Sequence, residues 1–283
     1  MIVVTGATGE LGKLVVEALL KRVPAGQVVA AVRDPAKAGA LAQKGVQVRR
    51  ADYTDPASLD AAFAGAEKVL LISSNEVGQR LPQHLNAVAA AQRAGVKLMA
   101  YTSVLRADTS PMGVAAEHKA TEEAIRASGM GFAFLRNGWY LENYAASIAG
   151  AAAQGVLAGG SGEGRIAAAA RADYAEAAAA VLASDAPQQV YELGGDAPFT
   201  LGELAAEVAR QAGREVKFLN LPQADYEAAL LSHHLPPEMA ALIADSDFHA
   251  AHGALDEGSR TLTKLIGRPT RPLADAVKAV LAA

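Results

Sequence analysis

The first twelve residues constrain the fold more than any other stretch of the chain. Ile2 to Val4 form a β-branched run of the kind buried on both faces of a parallel sheet, and Gly6, Gly9 and Gly12 follow at G-x-x-G-x-x-G spacing. Gly6 allows a tight turn off the strand. Gly9 lets backbone N–H groups approach a pyrophosphate without a Cβ in the way, and Gly12 lets a helix starting at about Glu10 pack closely against the sheet. The positive end of that helix then faces the phosphates.

The flanking sequence supports a dinucleotide site. Leu11, Leu14, Val15, Ala18 and Leu19 recur at helical spacing, Pro24 to Gly26 break the helix, and Gln27 to Val32 read as a second strand, completing a β-α-β unit. The residue after that strand selects the cofactor. An acidic residue there bonds the ribose 2′-hydroxyl of NAD, whereas an arginine suits the 2′-phosphate of NADP. This chain has Arg33, with Lys37 one helical turn further on as a second cation, so NADPH is favoured; Asp34 keeps NADH use open.

Strand and helix signals then alternate as in a doubly wound sheet. Strands are expected at Gln47–Ala51, Lys68–Ser73, Lys97–Thr102 and Gly131–Arg136, and helices at Pro56–Ala64, Pro82–Ala94 and Ala115–Ala127. Ligands in such sheets lie beyond the carboxyl ends of the strands, which draws attention to Asp52 and Tyr53, Ser73 to Asn75, Thr102 and Ser103, and Asn137 to Asn143. The alanine-rich tract Ile166–Ala183 reads as a buried helix capped by Asp173 with Glu176. Val190–Leu193 and Glu215–Leu219 read as strands, and Thr200-Leu-Gly-Glu203 as a capping box opening a helix to Ala212. The fold expected is α/β, a Rossmann-type doubly wound parallel sheet over residues 1–183 with a smaller α-rich C-terminal domain over residues 184–283. Strand 190–193 is free to return to the sheet.

Bulk properties exclude several classes. The 283 residues include no cysteine, which removes disulfides and thiolate metal sites, and the six histidines show no metal-ligand spacing. With a formal net charge of -4 and scattered basic residues, no face for nucleic acid is evident. Apolar runs are short and interrupted, and the first strand leads directly into the glycine turn, so neither a membrane span nor a signal peptide is expected and the chain reads as cytoplasmic.

Taken together, Gly6-Ala-Thr-Gly-Glu-Leu-Gly12, Arg33-Asp-Pro35, Arg50-Ala-Asp-Tyr53, Leu71-Ile-Ser-Ser74, Glu76-Val-Gly-Gln-Arg80, Tyr101-Thr-Ser103, Leu135-Arg-Asn-Gly-Trp-Tyr140, Arg171-Ala-Asp-Tyr174 and Ala244-Asp-Ser-Asp247 span the whole chain. In these motifs the sequence resembles the NmrA-like branch of the atypical short-chain dehydrogenases, and within it the bacterial NADPH:quinone oxidoreductase 2 type. The resemblance implies a Rossmann domain that carries NADPH and a small C-terminal domain that closes over a quinone cleft. It also implies cofactor contacts from Gly6, Ala7, Thr8, Gly9, Glu10 and Leu11, from Arg33, from Ser73, Ser74 and Asn75, and from Asn137, Gly138, Trp139, Tyr140 and Leu141.

Ordinary short-chain dehydrogenases exchange a proton through a Tyr-x-x-x-Lys pair. No tyrosine here has a lysine four residues later, and position 115, four before Lys119, is Ala. Reduction of a ketone needs help with a developing alkoxide, whereas a quinone accepts hydride into an aromatic hydroquinone and needs less acid catalysis. The expected reaction is therefore direct hydride transfer from NADPH to a quinone without flavin or metal, with the protein supplying orientation and a dry pocket. Tyr53, Asn137, Trp139 and Tyr140 are candidates to wall that pocket, and Trp139 and Tyr140 read equally as core aromatics with one satisfied polar tip. Lys119 is a weaker candidate: isoflavone-reductase-like relatives use a lysine before this helix as a general base, but Lys119 and Glu123 are spaced as an i,i+4 pair and the preferred reading is a plain exposed helix. An NADP-binding redox sensor without turnover is the alternative that the NmrA-like branch allows. Monomer and homodimer both remain open.

Overall fold

The computed structural model describes residues 1–283 except residue 77, which lies in the Glu76–Arg80 motif. The strands are β1 (Ile2–Thr5), β2 (Val28–Val32), β3 (Gln47–Arg50), β4 (Lys68–Leu71), β5 (Leu98–Val104), β6 (Gly131–Asn137), β7 (Val156–Gly159), β8 (Val190–Leu193) and β9 (Lys217–Asn220). The helices are α1 (Glu10–Leu19), α2 (Gly39–Gln43), α3 (Pro56–Phe63), α4 (Arg80–Arg93), α5 (Ala115–Ala127), α6 (Ala145–Gln154), α7 (Arg171–Ala183), α8 (Leu201–Ala212), α9 (Gln223–Ser232), α10 (Pro237–Ala250), α11 (Thr261–Ile266) and α12 (Leu273–Leu281).

Contacts divide the chain into two compact units. The first comprises Met1–Asp108, Ala116–Asn137 and Arg171–Tyr191; the second comprises Thr109–Ala115, Gly138–Ala170 and Glu192–Ala283. The single boundary expected after residue 183 does not match this division, because the chain crosses between the units several times.

In the first unit a parallel sheet runs in the order β3-β2-β1-β4-β5-β6-β8. β1 lies between β2 and β4, with Ile2 opposite both Val28 and Lys68. The strand order reverses there, and a reversal leaves a crevice at the carboxyl ends of the two central strands. β8 does return to the sheet: Phe134 N–H donates to Gln189 C=O at 2.9 Å and Gly138 N–H to Leu193 C=O at 2.7 Å, the same-sense progression of a parallel pair. One face buries Val3, Val29, Val69, Leu71, Met99, Tyr101 and Phe134 against Leu59, Phe63, Ala87, Ala91 and Ile125 of α3, α4 and α5. On the other, α1 and α7 pack on one another, α1 against β1 and β2 and α7 against β6.

α7 is a buried helix, as its alanines suggest: Ala175, Ala177, Ala178 and Ala179 are all buried, and α1 packs against it. The helix starts at Arg171, however. Ile166 to Ala170 run extended, because Ile166 and Phe199 exchange hydrogen bonds of 2.8 and 3.1 Å and Ala169 bridges Tyr140. Asp173 therefore lies inside the first turn and not at the position before it.

The second unit is α-rich. It holds α6, α8 to α12 and a two-stranded parallel sheet of β7 and β9. The capping box forms as expected: Thr200 Oγ1 accepts from Glu203 N–H at 3.1 Å while Glu203 Oε2 accepts from Thr200 N–H at 2.8 Å. Among the described residues, no helix is long and apolar enough to cross a membrane.

Candidate active site

A cleft of about 650 Å³ opens in the first unit beyond the carboxyl ends of β1 to β4. Its wall comprises Thr5 to Lys13 except Ala7, then Arg33 and Lys37, Ala51 to Thr54, Ile72 to Glu76, and Gln83. The glycine turn forms the floor. Gly6 has a φ of +58°, in the left-handed region that glycine enters without strain. A Cβ on Gly12 would lie 2.2 Å from Gly6 O and 2.7 Å from Ala7 Cα. The close approach that Gly12 permits is thus to the turn itself rather than to the sheet. No side chain caps α1 at Gly9, which leaves the first N–H groups of the helix open for an anion.

Two cations stand at the rim. Arg33 follows β2 with its side chain 72% exposed, and its Nη1 lies 3.5 Å from Glu76 Oε1. Lys37 lines the same wall. Asp34 is not among the residues of the cleft wall: its Oδ1 accepts from Ala36 N–H at 3.0 Å and caps the short turn after β2. Asp52 keeps its negative charge, because the backbone N–H and then the hydroxyl of Thr54 bond its carboxylate and hold its pKa below the usual range.

The wall after β4 is built from polar backbone. β4 ends at Leu71, two residues short of the expected Ser73, because the next N–H groups leave the ladder for side chains. Ile72 N–H donates to Thr5 Oγ1 at 3.0 Å and Ser73 N–H to Thr102 Oγ1 at 2.8 Å. Thr102 is buried and supports the loop without lining the cleft.

The remaining expected residues fall elsewhere. Ala7 is buried behind the turn, with its N–H directed at Ala31 O at 3.4 Å. Asn137 closes β6, buried, its C=O accepting from Leu105 N–H at 3.1 Å. Gly138, Trp139, Tyr140 and Leu141 belong to the second unit, where Ala169 N–H donates to Trp139 C=O and Leu141 N–H to Ala169 C=O. Leu141 also lines a smaller hollow of about 190 Å³ with Asp196, Phe199 and Thr270. Lys119 is exposed on α5 and is not part of the cleft wall. Glu76 and Gln83, joined by a 2.6 Å hydrogen bond, line the cleft without having been singled out as site residues; neither spacing nor periodicity marks a loop carboxylate and a helix amide that meet only in the fold. Among the described residues, no three His, Cys, Asp or Glu side chains come together as a metal site.

The NmrA-like family matches residues 1–268. Quinone oxidoreductase 2 of Escherichia coli is 55% identical over 278 residues, covering 98% of this chain and 97% of its own length. The crystal structure of the NADPH-dependent quinone oxidoreductase QOR2 from Escherichia coli, complexed with NADPH, aligns with a TM-score of 0.97 at 54% identity over 99% of this chain and 100% of that one. The Citrobacter sp. triphenylmethane reductase complexed with NADP(H) aligns with a TM-score of 0.94 at 36% identity, again over 99% and 100% of the two chains. Identity that runs the length of both chains, instead of clustering at the glycine turn, is the mark of shared descent, and the chain belongs to the NmrA-like family.

Proposed function

We propose that this chain is an NADPH-dependent quinone oxidoreductase. The observation that carries the reading is the cleft itself: an uncapped helix N-terminus, a glycine turn too tight for a Cβ at position 12, and Arg33 and Lys37 at the rim suit a dinucleotide with a 2′-phosphate. The substrate class follows from the full-length similarity to an Escherichia coli quinone oxidoreductase.

In this reading Gly6 to Leu11 hold the pyrophosphate, Arg33 and Lys37 the 2′-phosphate, and Asp52 and Ser73 to Asn75 the adenosine and nicotinamide ribose side of the cleft. Asn137 to Leu141 take a cofactor role on the family resemblance. When bound, NADPH supplies a hydride, which with one proton converts the quinone to a hydroquinone. The chain orients the two partners and excludes water. No general acid is assigned, because Tyr53 Oη is already engaged by Thr5 and Ile72 and Lys119 stands on an exposed helix face.

The test is to mix flavin-free protein with NADPH and a small quinone and follow the NADPH absorbance. Steady loss at a rate proportional to enzyme is expected. Binding of NADPH without turnover would replace the enzyme with a redox sensor, and turnover only after adding flavin would replace direct hydride transfer.

A further inference from the structure

The loop between β4 and α4 is held by side chains from several elements. After Ile72 and Ser73 have given their N–H groups to Thr5 and Thr102, Ser74 N–H donates to His84 Nε2 at 2.9 Å. Ser74 C=O accepts from Arg80 Nε at 2.7 Å. Residues 80 and 84 are one turn apart on α4, so one face of this helix grips both backbone groups of a single loop residue. All three members of this grip are buried.

The partners of His84 fix its tautomer. Nε2 faces a backbone N–H and must accept, so Nδ1 carries the proton and donates it to Thr121 Oγ1 at 3.0 Å; the Thr121 hydroxyl in turn donates to Glu117 C=O at 2.8 Å. Burial, and then the nearby Arg80 guanidinium, hold the imidazole pKa down at about 3, so the ring stays neutral. Glu117 faces Arg80 at 3.6 Å and also accepts from the N–H groups of Gly78 and Arg80 at 3.2 and 3.1 Å.

We propose that His84, as its Nδ1–H tautomer, is a positioning residue for cofactor binding, which acts through Ser74 to hold Ser73 to Asn75 in the conformation that receives the dinucleotide. The inference rests on the function proposed above. Without the imidazole acceptor, the Ser74 peptide satisfies its N–H best by turning toward water in the open cleft. The receptive loop then becomes a minor population, and the apparent dissociation constant rises by the reciprocal of that fraction.

The experiment compares the full-length wild type with His84→Leu and His84→Gln by NADPH titration, steady-state kinetics with a small quinone, and thermal melting. His84→Leu is expected to raise the NADPH Kd and KM about tenfold while leaving kcat and the quinone KM within about twofold, as a receptive fraction near a tenth would give. His84→Gln, whose amide oxygen can accept from Ser74 N–H, is expected to recover most of that affinity. If both variants lose Tm equally with NADPH affinity unchanged, the residue is structural only and the inference is overturned. Should His84→Leu fail to fold, Thr121→Val releases the tautomer from the other side and is expected to weaken NADPH in the same direction; unchanged affinity there overturns the inference too. ¹⁵N spectra of the wild type should show a protonated Nδ1 and a bare Nε2 on His84, and the opposite tautomer would contradict the proposal. A wild type that does not bind NADPH overturns the functional reading itself, whereas normal wild-type binding matched by His84→Leu overturns this inference alone.

Discussion

The hydroxyls of Thr5 and Tyr53 lie 2.6 Å apart, and both are tied to Ile72: Tyr53 Oη donates to its C=O at 2.7 Å, and Thr5 Oγ1 accepts from its N–H at 3.0 Å. Three strand ends are thereby stitched together at the back of the cleft, those of β1, β3 and β4. The Tyr53 proton is committed to this lattice, and burial holds its pKa well above the ordinary tyrosine value.

A tyrosine so engaged is a poor acid. Tyr53→Phe is expected to lower stability by about 0.5–1.5 kcal/mol, the net worth of a hydrogen bond, and to leave kcat for quinone reduction within a small factor. Thermal melts and steady-state kinetics check both halves. A fall in kcat of about 10²-fold or more, the scale of general acid catalysis, would make Tyr53 the proton donor instead.

In the proposed reading Arg33 discriminates the cofactors through a charge-assisted contact to the 2′-phosphate. Arg33→Ala is expected to weaken NADPH by about 1.5–3 kcal/mol and to leave NADH almost unaffected. Glu76 faces Arg33 in an exposed ion pair at 3.5 Å and in that reading would compete with the phosphate. Glu76→Gln is therefore expected to tighten NADPH by no more than about 1 kcal/mol, within the range of surface pairs. Titration of both nucleotides against the three proteins settles the order, and equal losses for NADPH and NADH in Arg33→Ala would contradict it.

The two later glycines of the turn separate folding from binding. A methyl on Gly12 would press into the backbone of Gly6 and Ala7, whereas one on Gly9 would meet only Gly6 O, at 3.2 Å. Gly12→Ala is expected to cost about 1–3 kcal/mol of stability, as overpacking does. Gly9→Val should melt closer to wild type and yet fail to bind NADPH, because its side chain occupies the phosphate cradle. Calorimetry paired with titration distinguishes the two effects; normal NADPH binding by Gly9→Val would place the cofactor elsewhere.

Asp247 gives the second unit an inverted acid response. Its carboxylate accepts from Gly160 N–H at 2.8 Å, but burial pushes its pKa up to about 6 from 3.8. The folded state therefore holds this proton more tightly than the unfolded chain does, and stability from it is complete below about 4 and lost as pH rises through about 6. His84 and His118 act oppositely: burial lowers both, so their contribution is complete above 6.5 and lost as pH falls below it. Asp247→Asn should raise stability at neutral pH by about 1–3 kcal/mol and steepen the loss on acidification between about pH 6 and 4. Melting curves across that range check the sign, and a variant less stable than wild type at pH 7 would refute it.

Much of the first unit could be read from local sequence. The β-branched runs, the glycine turn and the helix breakers specify β1 to β6 because each depends on residues only a few positions apart. Ile166 to Ala170 resisted that reading, since their alanines favour a helix while their hydrogen bonds are satisfied by Phe199, Tyr140 and other distant residues. β7 was missed for a related reason, as its partner β9 lies some sixty residues further on. At the site, the arginine after β2 and the polar strand ends announced themselves, but the grip on Ser74 did not. Its three parts come from a loop, the helix after it and a threonine of another helix, and nothing in the pattern around His84 indicates which ring nitrogen must accept.

The returning segment Arg171–Tyr191 has a consequence for how the chain is made. α7 covers the apolar side of α1, and β8 adds the last strand beside β6, yet both are synthesised only after Gly138–Ala170 of the other unit has emerged. A nascent chain halted at Asn137 carries every residue that lines the cleft beyond β1 to β4 and still lacks both the helix that packs on α1 and the strand that completes the sheet. On the ribosome the seven-stranded sheet therefore gains its last strand only once Leu193 has left the exit tunnel.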